Sequence, residues 1–283
     1  MIIFRTVKTL QQFLSSYKRQ RVGFVPTMGA LHKGHISLVE QAKSENELSV
    51  CSIYVNPTQF NEASDLQHYP RTLSADLKKL AETGCDVVFI PDDQEIYPEG
   101  MGKKLALDLS DVMSPIEGVF RPGHFEGMVQ VVHRFLEIVQ PDRLYMGQKD
   151  YQQFIIVQTM VERLKMGVDV IPCPIVREPD GLAMSSRNLR LTPESREKAV
   201  IIHNTLRSVQ DKVDTYSDLE EVQEWAIQKL SIDGFRPEYF EIVNARTLKS
   251  VKKLNEAKEV IACTAIWAGD IRLIDNTFLK KNS

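Results

Sequence analysis

Two histidines three residues apart, His32 and His35, close the stretch Val22-Gly-Phe-Val-Pro-Thr-Met-Gly-Ala-Leu-His-Lys-Gly-His35. On a helix that spacing lets both rings project from one turn. Two imidazoles at a helix start can donate hydrogen bonds to phosphoryl oxygens as charge builds during a displacement at phosphorus. Gly29 lets the backbone approach a phosphate closely, and a helix entered near Gly34 presents unpaired N–H groups with a partial positive charge. The alternative is a helix start carrying two solvated histidines. Strand, turn, two glycines and helix in that order favour the phosphate site.

Other residues could serve the same chemistry. Lys149 follows a hydrophobic strand and Gly147, where it is either a point charge for phosphate or one more solvated lysine. Asp150 beside it can bind ribose, orient the lysine or cap the next helix. Met184-Ser185-Ser186-Arg187-Asn188 closes a turn opened by Asp180-Gly181. Its hydroxyls and guanidinium form either a clamp for a triphosphate tail or a plain loop. The amides of Asn56 and Gln59, at another strand end, suit hydroxyl or carboxylate groups of a small substrate, or simply make a turn. Asp76 lies in a predicted helix and reads as solvated unless a magnesium ion on the nucleotide needs an anchor. His124, in Phe120-Arg-Pro-Gly-His-Phe125, is a further site candidate, whereas His68, His133 and His203 read as structural or surface residues.

These groups need elements to position them. Val7, Leu10, Phe13 and Leu14 predict an amphipathic helix over 6–19, followed by a strand over Val22–Val25 that Pro26 stops. A helix from His35 to about Lys43 and a strand over Leu48–Val55 complete a parallel crossover unit. Leu73, Leu77 and Leu80 predict a helix over 72–83 ended by Gly84, with a strand over 86–90 behind it. Residues 92–124 read mostly as loop, with a strand at Leu105–Leu109. A helix over 125–139, a strand at Arg143–Met146, a helix from Tyr151 to about Lys165 and a strand at 168–171 repeat the alternation of an open α/β sheet. In such a sheet ligands bind at the carboxyl ends of the strands, where Pro26–Gly29 and Gly147–Asp150 both fall. Beyond Arg177 the pattern changes to helices at 193–212 and 218–230 and strands at 239–243, 260–267 and 271–275, a smaller α+β unit. The expected domains are residues 1–177 and 178–283.

Composition narrows the partners. The chain has 283 residues, 43% hydrophobic and 26% charged, with a net charge of −3, which supplies no bulk attraction to nucleic acid or an anionic membrane. The N-terminal apolar run is too short for a secretory segment, and no stretch approaches the roughly 20 apolar residues of a membrane span. A cytoplasmic protein with small-molecule partners is expected. Cys51, Cys85, Cys173 and Cys263 are widely separated in apolar runs, which fits reduced, buried thiols.

Taken together, PTMGALHKGH at 26–35, YVNPTQF at 54–60, YPRT at 69–72, RPGHF at 121–125, GQKDYQQ at 147–153 and DGLAMSSRN at 180–188 resemble the pantothenate synthetases, in order and over the whole chain. HxGH alone would indicate only the wider nucleotidyltransferase superfamily. The resemblance implies a Rossmann-like open parallel sheet of the HIGH type with a smaller C-terminal lid domain. It also implies that pantoate attacks the α-phosphate of ATP, giving a pantoyl adenylate and pyrophosphate, before β-alanine displaces AMP. Mg2+ accompanies the ATP, and a homodimer is expected. By the same resemblance ATP binds Met28, Gly29, Ala30, Leu31, His32, Lys33, Gly34 and His35, with His35 catalytic and His32 assisting. Gly147, Gln148, Lys149, Asp150 and Val176 line the nucleotide pocket, Lys149 contacting phosphate. Met184, Ser185, Ser186 and Arg187 form the counterpart of the KMSKS loop. Gln59 and Gln153 hold pantoate with Asn56 nearby, and Asp76 is a metal-side carboxylate. Two departures, Gln148 where the family commonly has an acid and Met146 where it often has an aromatic, touch only pocket details.

The borrowed mechanism agrees with the residues. A carboxylate is a poor electrophile toward an amine until adenylation gives it a leaving group. Positioning two substrates and stabilising phosphoryl charge then requires no covalent nucleophile. The rival readings are a transferase acting on another acceptor and a nucleotide sensor that has lost catalysis. A tRNA synthetase is disfavoured by the lack of a recognisable anticodon-binding module.

Overall fold

The computed structural model describes residues 1–17, 20–60, 63–101, 105–216 and 218–280. The predicted helix over 6–19 is observed as Val7–Leu14, capped by Thr6 and tightened into a 3-10 turn at Ser15–Tyr17; residues 18 and 19 lie outside the described residues. The chain divides into two compact units. The first comprises Met1–Met113, Glu117–Gln148 and Gln153–Pro174; the second comprises Ser114–Ile116, Lys149–Gln152 and Ile175–Ser283.

The first unit is built on six strands, β1 (Ile2–Phe4), β2 (Val22–Thr27), β3 (Leu48–Ile53), β4 (Val87–Phe89), β5 (Arg143–Gly147) and β6 (Asp169–Cys173). They form one parallel sheet in the order β1-β4-β3-β2-β5-β6. From β2 the chain steps outward through β3 and β4, then returns to lay β5 on the other flank of β2. The reversal falls between β2 and β5, which in an open α/β sheet marks the ligand crevice. β3 and β4 are buried along their whole lengths, as their largely apolar runs require when helices cover both faces; the two polar residues of β3, Ser49 and Ser52, are buried with the rest.

Three expectations are corrected here. β2 runs through Pro26 to Thr27 rather than stopping at Val25. Tyr54 N donates to Thr27 O, so Thr27 faces β3 and Pro26 faces the other flank, where pairing with β5 ends at Phe24. The missing proline N–H is therefore not needed. Residues 105–109 form no strand. Leu107 N turns back onto Leu105 O, and Asp108 accepts from the N–H and hydroxyl of Ser110 to start a short helix, Ser110–Met113. The helix expected over 193–212 is two, Pro193–Lys198 and Ile201–Lys212, with Ile202 N donating to Ala199 O three residues back at the break.

The second unit carries β7 (Phe235–Asn244), β8 (Val260–Ala268) and β9 (Ile271–Lys280) as an antiparallel sheet. Ile202, Leu206 and Val209 on helix Ile201–Lys212 and Val222, Ala226 and Leu230 on helix Leu219–Leu230 recur every three or four residues and share a core with the strands. Among the described residues no helix is long and apolar enough to cross a membrane.

Candidate active site

At the end of β2 the chain makes a left-handed turn, with φ of 80° at Gly29 and 49° at Ala30. Thr27 Oγ1 donates to Ser52 O (2.7 Å) and accepts from Gly29 N (3.2 Å), tying the turn to β3. Asp76 comes up from helix Leu73–Thr83 and accepts from Ala30 N (2.9 Å), Leu31 N (2.8 Å) and Thr72 Oγ1 (3.1 Å). Lys79 Nζ, one turn further along the same helix, donates to Leu31 O. A Cβ on Gly29 would stand 3.2 Å from the Asp76 carboxylate, so this glycine serves the clamp as well as the positive φ. Asp76 is 1% exposed. Holding the turn is thus its observed task, alongside the metal-side one the resemblance implies.

His32 is the N-cap of helix Lys33–Glu45, an unusual residue there, and with His35 it forms a reciprocal capping box. Gly34 N donates to His32 Nδ1 (3.1 Å), and His32 N donates to His35 Nδ1 (3.3 Å). A backbone N–H can only donate, so both Nδ1 atoms are unprotonated and each neutral ring carries its proton on Nε2. The ring centroids are 4.0 Å apart. The helix start was expected to offer unpaired N–H groups to a phosphate. The amides of Gly29, Ala30, Leu31, His32 and Gly34 are engaged internally, and the imidazoles add side-chain donors at the same place.

Past β3, a 3-10 turn at Pro57–Gln59 holds Asn56 and Gln59, both buried. Gln59 Nε2 lies 2.8 Å from Met28 Sδ, which brings the amide to the histidine turn. His124 starts helix His124–Val139 and its Nδ1 is 2.7 Å from Gln59 O; against a carbonyl that nitrogen is the donor. A Cβ on Gly127 would fall 2.2 Å from Thr58 O, so the helix and the turn meet only because this residue is glycine. Gly147 ends β5, beside β2 in the sheet, Gln148 follows it, and Gln153 lies in the first turn of helix Tyr151–Leu164. Residues Met28–His35, Asn56, Gln59, Asp76 and His124 thus form one cluster at the switch point.

In the second unit, Val176–Met184 folds as a small hairpin, with Met184 N donating to Val176 O (3.0 Å) and Glu178 N to Leu182 O (2.8 Å). Ser185 caps the 3-10 turn Ser186–Arg190 by accepting from Arg187 N. Lys149 and Ser185 line one small cavity of about 10 Å³ with Asn188 and Asp275, and Lys149 O accepts from Asn276 Nδ2 (3.0 Å). Val176, Lys149 and Met184–Arg187 therefore belong to one local structure. Asp150 ends the 3-10 turn at 148–150.

The residues holding this hairpin were not legible in the sequence. Arg177 makes a two-pronged bridge to the buried Asp275 (2.7 and 3.0 Å) and also donates to Gly181 O (3.0 Å). No sequence signal joins residues 98 positions apart. Gly181 has φ of 97°, and a Cβ there would stand 2.1 Å from the His203 ring, so His203 packs directly beneath the loop. Burial, then the charges of Arg177 and Arg207, hold His203 below its ordinary value of 6.5, against the pull of Asp275 and Asp180. The folded form thus resists a proton that the unfolded chain takes. The contribution to stability is full above pH 6.5 and is lost as pH falls from there through the depressed value. A lower urea midpoint at about pH 5.5 than at about pH 7.5 is expected, with His203→Gln narrowing the gap. An equal gap in that variant would contradict it.

All four cysteines are buried; burial pushes Cys85 up to about 11 and Cys173 to about 12, so neither is a nucleophile. Among the described residues no group of three or more His, Cys, Asp or Glu is placed to hold a metal ion.

An open parallel sheet with paired Nε2–H donors at its switch point defines an α/β protein equipped to meet a phosphorylated ligand. The chain belongs to the pantoate-beta-alanine ligase family, whose sequence model matches residues 2–278. It is 44% identical to a pantothenate synthetase of Bacteroides fragilis over 100% of both chains, and 43% identical to one of Thermotoga neapolitana, covering 99% of this chain and 100% of that one. The pantothenate synthetase structure from Thermus thermophilus superimposes with a TM-score of 0.92 at 39% identity, over 99% of this chain and 100% of that one. The Francisella tularensis pantoate-beta-alanine ligase, complexed with beta-gamma ATP and beta-alanine, does so with a TM-score of 0.83 at 39% identity, over 100% and 99%.

Proposed function

We propose that this chain condenses pantoate with β-alanine at the expense of ATP, through a pantoyl adenylate. The pantoate carboxylate attacks the α-phosphorus and pyrophosphate leaves; the β-alanine amine then attacks the acyl carbon and AMP leaves. The observation that carries the reading is the histidine capping box, which fixes two neutral rings 4.0 Å apart with Nε2–H as their donors. Such donors match the charge that builds on the phosphoryl oxygens. His35 is the principal donor, His32 assists, and Lys149 adds a point charge.

Met28 to His35, Gly147 to Asp150, Val176 and Met184 to Arg187 are the proposed ATP contacts. Gln59 and Gln153 are the proposed pantoate contacts, Gln59 also standing near β-alanine. Mg2+ enters on ATP as part of the substrate; of the protein's groups Asp76 is the carboxylate proposed beside it, with both oxygens already accepting from the turn. Residues 1–177 and 178–283 are the proposed functional domains, and a cytoplasmic homodimer the proposed form. The reaction is tested by following pyrophosphate and AMP separately. Pyrophosphate release that requires pantoate, and AMP release that further requires β-alanine, are expected. Release of pyrophosphate without pantoate would defeat the reading and favour another acceptor.

A further inference from the structure

The polar groups around Asn56 carry a consequence for which substrate atoms the site can read. Asn56 is 1% exposed, and its Oδ1 accepts from Thr58 N (3.4 Å), Thr58 Oγ1 (3.1 Å) and the Tyr97 hydroxyl (2.8 Å). Its Nδ2 donates to Gly127 O (3.0 Å) and to Gln59 Oε1 (3.2 Å). Thr58 N can only donate and Gly127 O can only accept, so the amide has one allowed orientation. Both N–H groups and the oxygen are in use, leaving Asn56 nothing to offer a substrate.

The orientation propagates. Because Asn56 presents an N–H to Gln59, the Gln59 amide must turn its oxygen inward. Its Nε2 then points the other way, toward Met28 and the histidine turn. His124 Nδ1 also holds the Gln59 backbone carbonyl, at 2.7 Å. Tyr97 contributes the shortest of the bonds on Asn56 Oδ1 and also lies 3.3 Å from the Thr58 hydroxyl. It comes from a segment with no motif to mark it, just after the helix Asp93–Ile96.

We propose that Tyr97 and Asn56 act as a polarity key, holding Gln59 as a hydrogen-bond donor into the site so that the acid substrate is bound through an acceptor atom, a carboxylate or hydroxyl oxygen. Tyr97 and Asn56 are positioning residues in this scheme and Gln59 is the contact. The inference rests on the reaction proposed above and adds a direction to it: a reversed Gln59 amide would set oxygen against the oxygen of an ionised acid.

Two isosteric variants test it. Asn56→Asp replaces Nδ2 with an atom that only accepts, so Gln59 must turn Nε2 toward it and Oε1 toward the acid. Its KM for pantoate is expected to rise about 10- to 100-fold, the scale for losing a hydrogen bond to a charged group, with KM for ATP within about 2-fold. Tyr97→Phe keeps the ring and loses the hydroxyl's bond to Asn56 and its longer contact with Thr58; a rise of about 3- to 10-fold is expected. In the double variant Tyr97→Phe should add little to Asn56→Asp, because both act through one amide. Multiplying effects, or equal changes in KM for ATP and pantoate, would overturn the key. The Gln59 side-chain amide resonances, followed by 15N NMR without substrate, separate this from a failure of the reaction itself. They should shift in Asn56→Asp; unchanged resonances overturn the key even if the enzyme uses another acid, and a shift in an enzyme without pantoate dependence overturns only the reaction.

Discussion

His35→Ala is expected to lower kcat by roughly 100-fold or more, the scale for removing a donor that acts on developing charge. The structure separates this effect from unfolding. His35 contributes one acceptor to the cap of helix Lys33–Glu45, through its bond from His32 N. Losing a cap costs about 1 kcal/mol, small beside the roughly 5–15 kcal/mol that holds a protein folded. The variant should therefore remain folded at 25 °C by circular dichroism while single-turnover formation of the adenylate slows. His35→Gln, whose side-chain N–H can reach toward the place of Nε2, should recover part of the loss. A His35→Ala enzyme with near-normal turnover at saturating ATP would remove the histidine from the chemistry.

Asp76→Ala should act in the opposite order, on stability first. Its carboxylate satisfies the buried amides of Ala30 and Leu31. Two buried donors left without acceptors cost about 1–3 kcal/mol each, so a loss of about 2–6 kcal/mol in urea unfolding is expected. Asp76→Asn keeps the shape but must face one of the two N–H groups with its own NH2, and an intermediate loss follows. Both variants should lose activity chiefly because the turn that positions His32 and His35 has slackened, so raised Mg2+ should restore little of it. If Asp76 acts chiefly on the metal, stability is preserved and raised Mg2+ restores the rate. The two outcomes differ in sign on both axes.

The sequence was most informative where local pattern decides structure. Alternating apolar runs and helical periodicity led to the parallel sheet, and Gly84 ends its helix as expected, with φ of 77°. The histidine pair, the amides at 56 and 59 and the turn at 180–188 were legible because they lie within short stretches. What could not be read is whatever depends on partners far along the chain. Tyr97 reaches Asn56 across 41 positions, Asp76 reaches Ala30 across 46 and Arg177 reaches Asp275 across 98. Each of these looks locally like a helix-flanking aromatic, a solvated acid or an exposed arginine. β1 was missed for a related reason: three residues at a sheet edge, with Ile2 47% and Ile3 43% exposed, carry no alternation to detect.

The sheet order also sets when the site can come into being as the chain folds. β2 and β3 are separated by one helix and can pair early, but the other wall of the crevice is β5, which begins at Arg143. The junction is fastened at its base, where Val22 N donates to Asp142 Oδ2 (2.7 Å) and Asp142 N to Val22 O (2.9 Å). Closing a loop of that length is entropically slow relative to local pairing. During synthesis the histidine turn therefore exists first as an edge, with half its sheet, and becomes a crevice only after about half the protein has been made. Until then the β2 flank is an open strand edge, and its protection at that stage falls to chain order and speed rather than to any contact in the finished molecule.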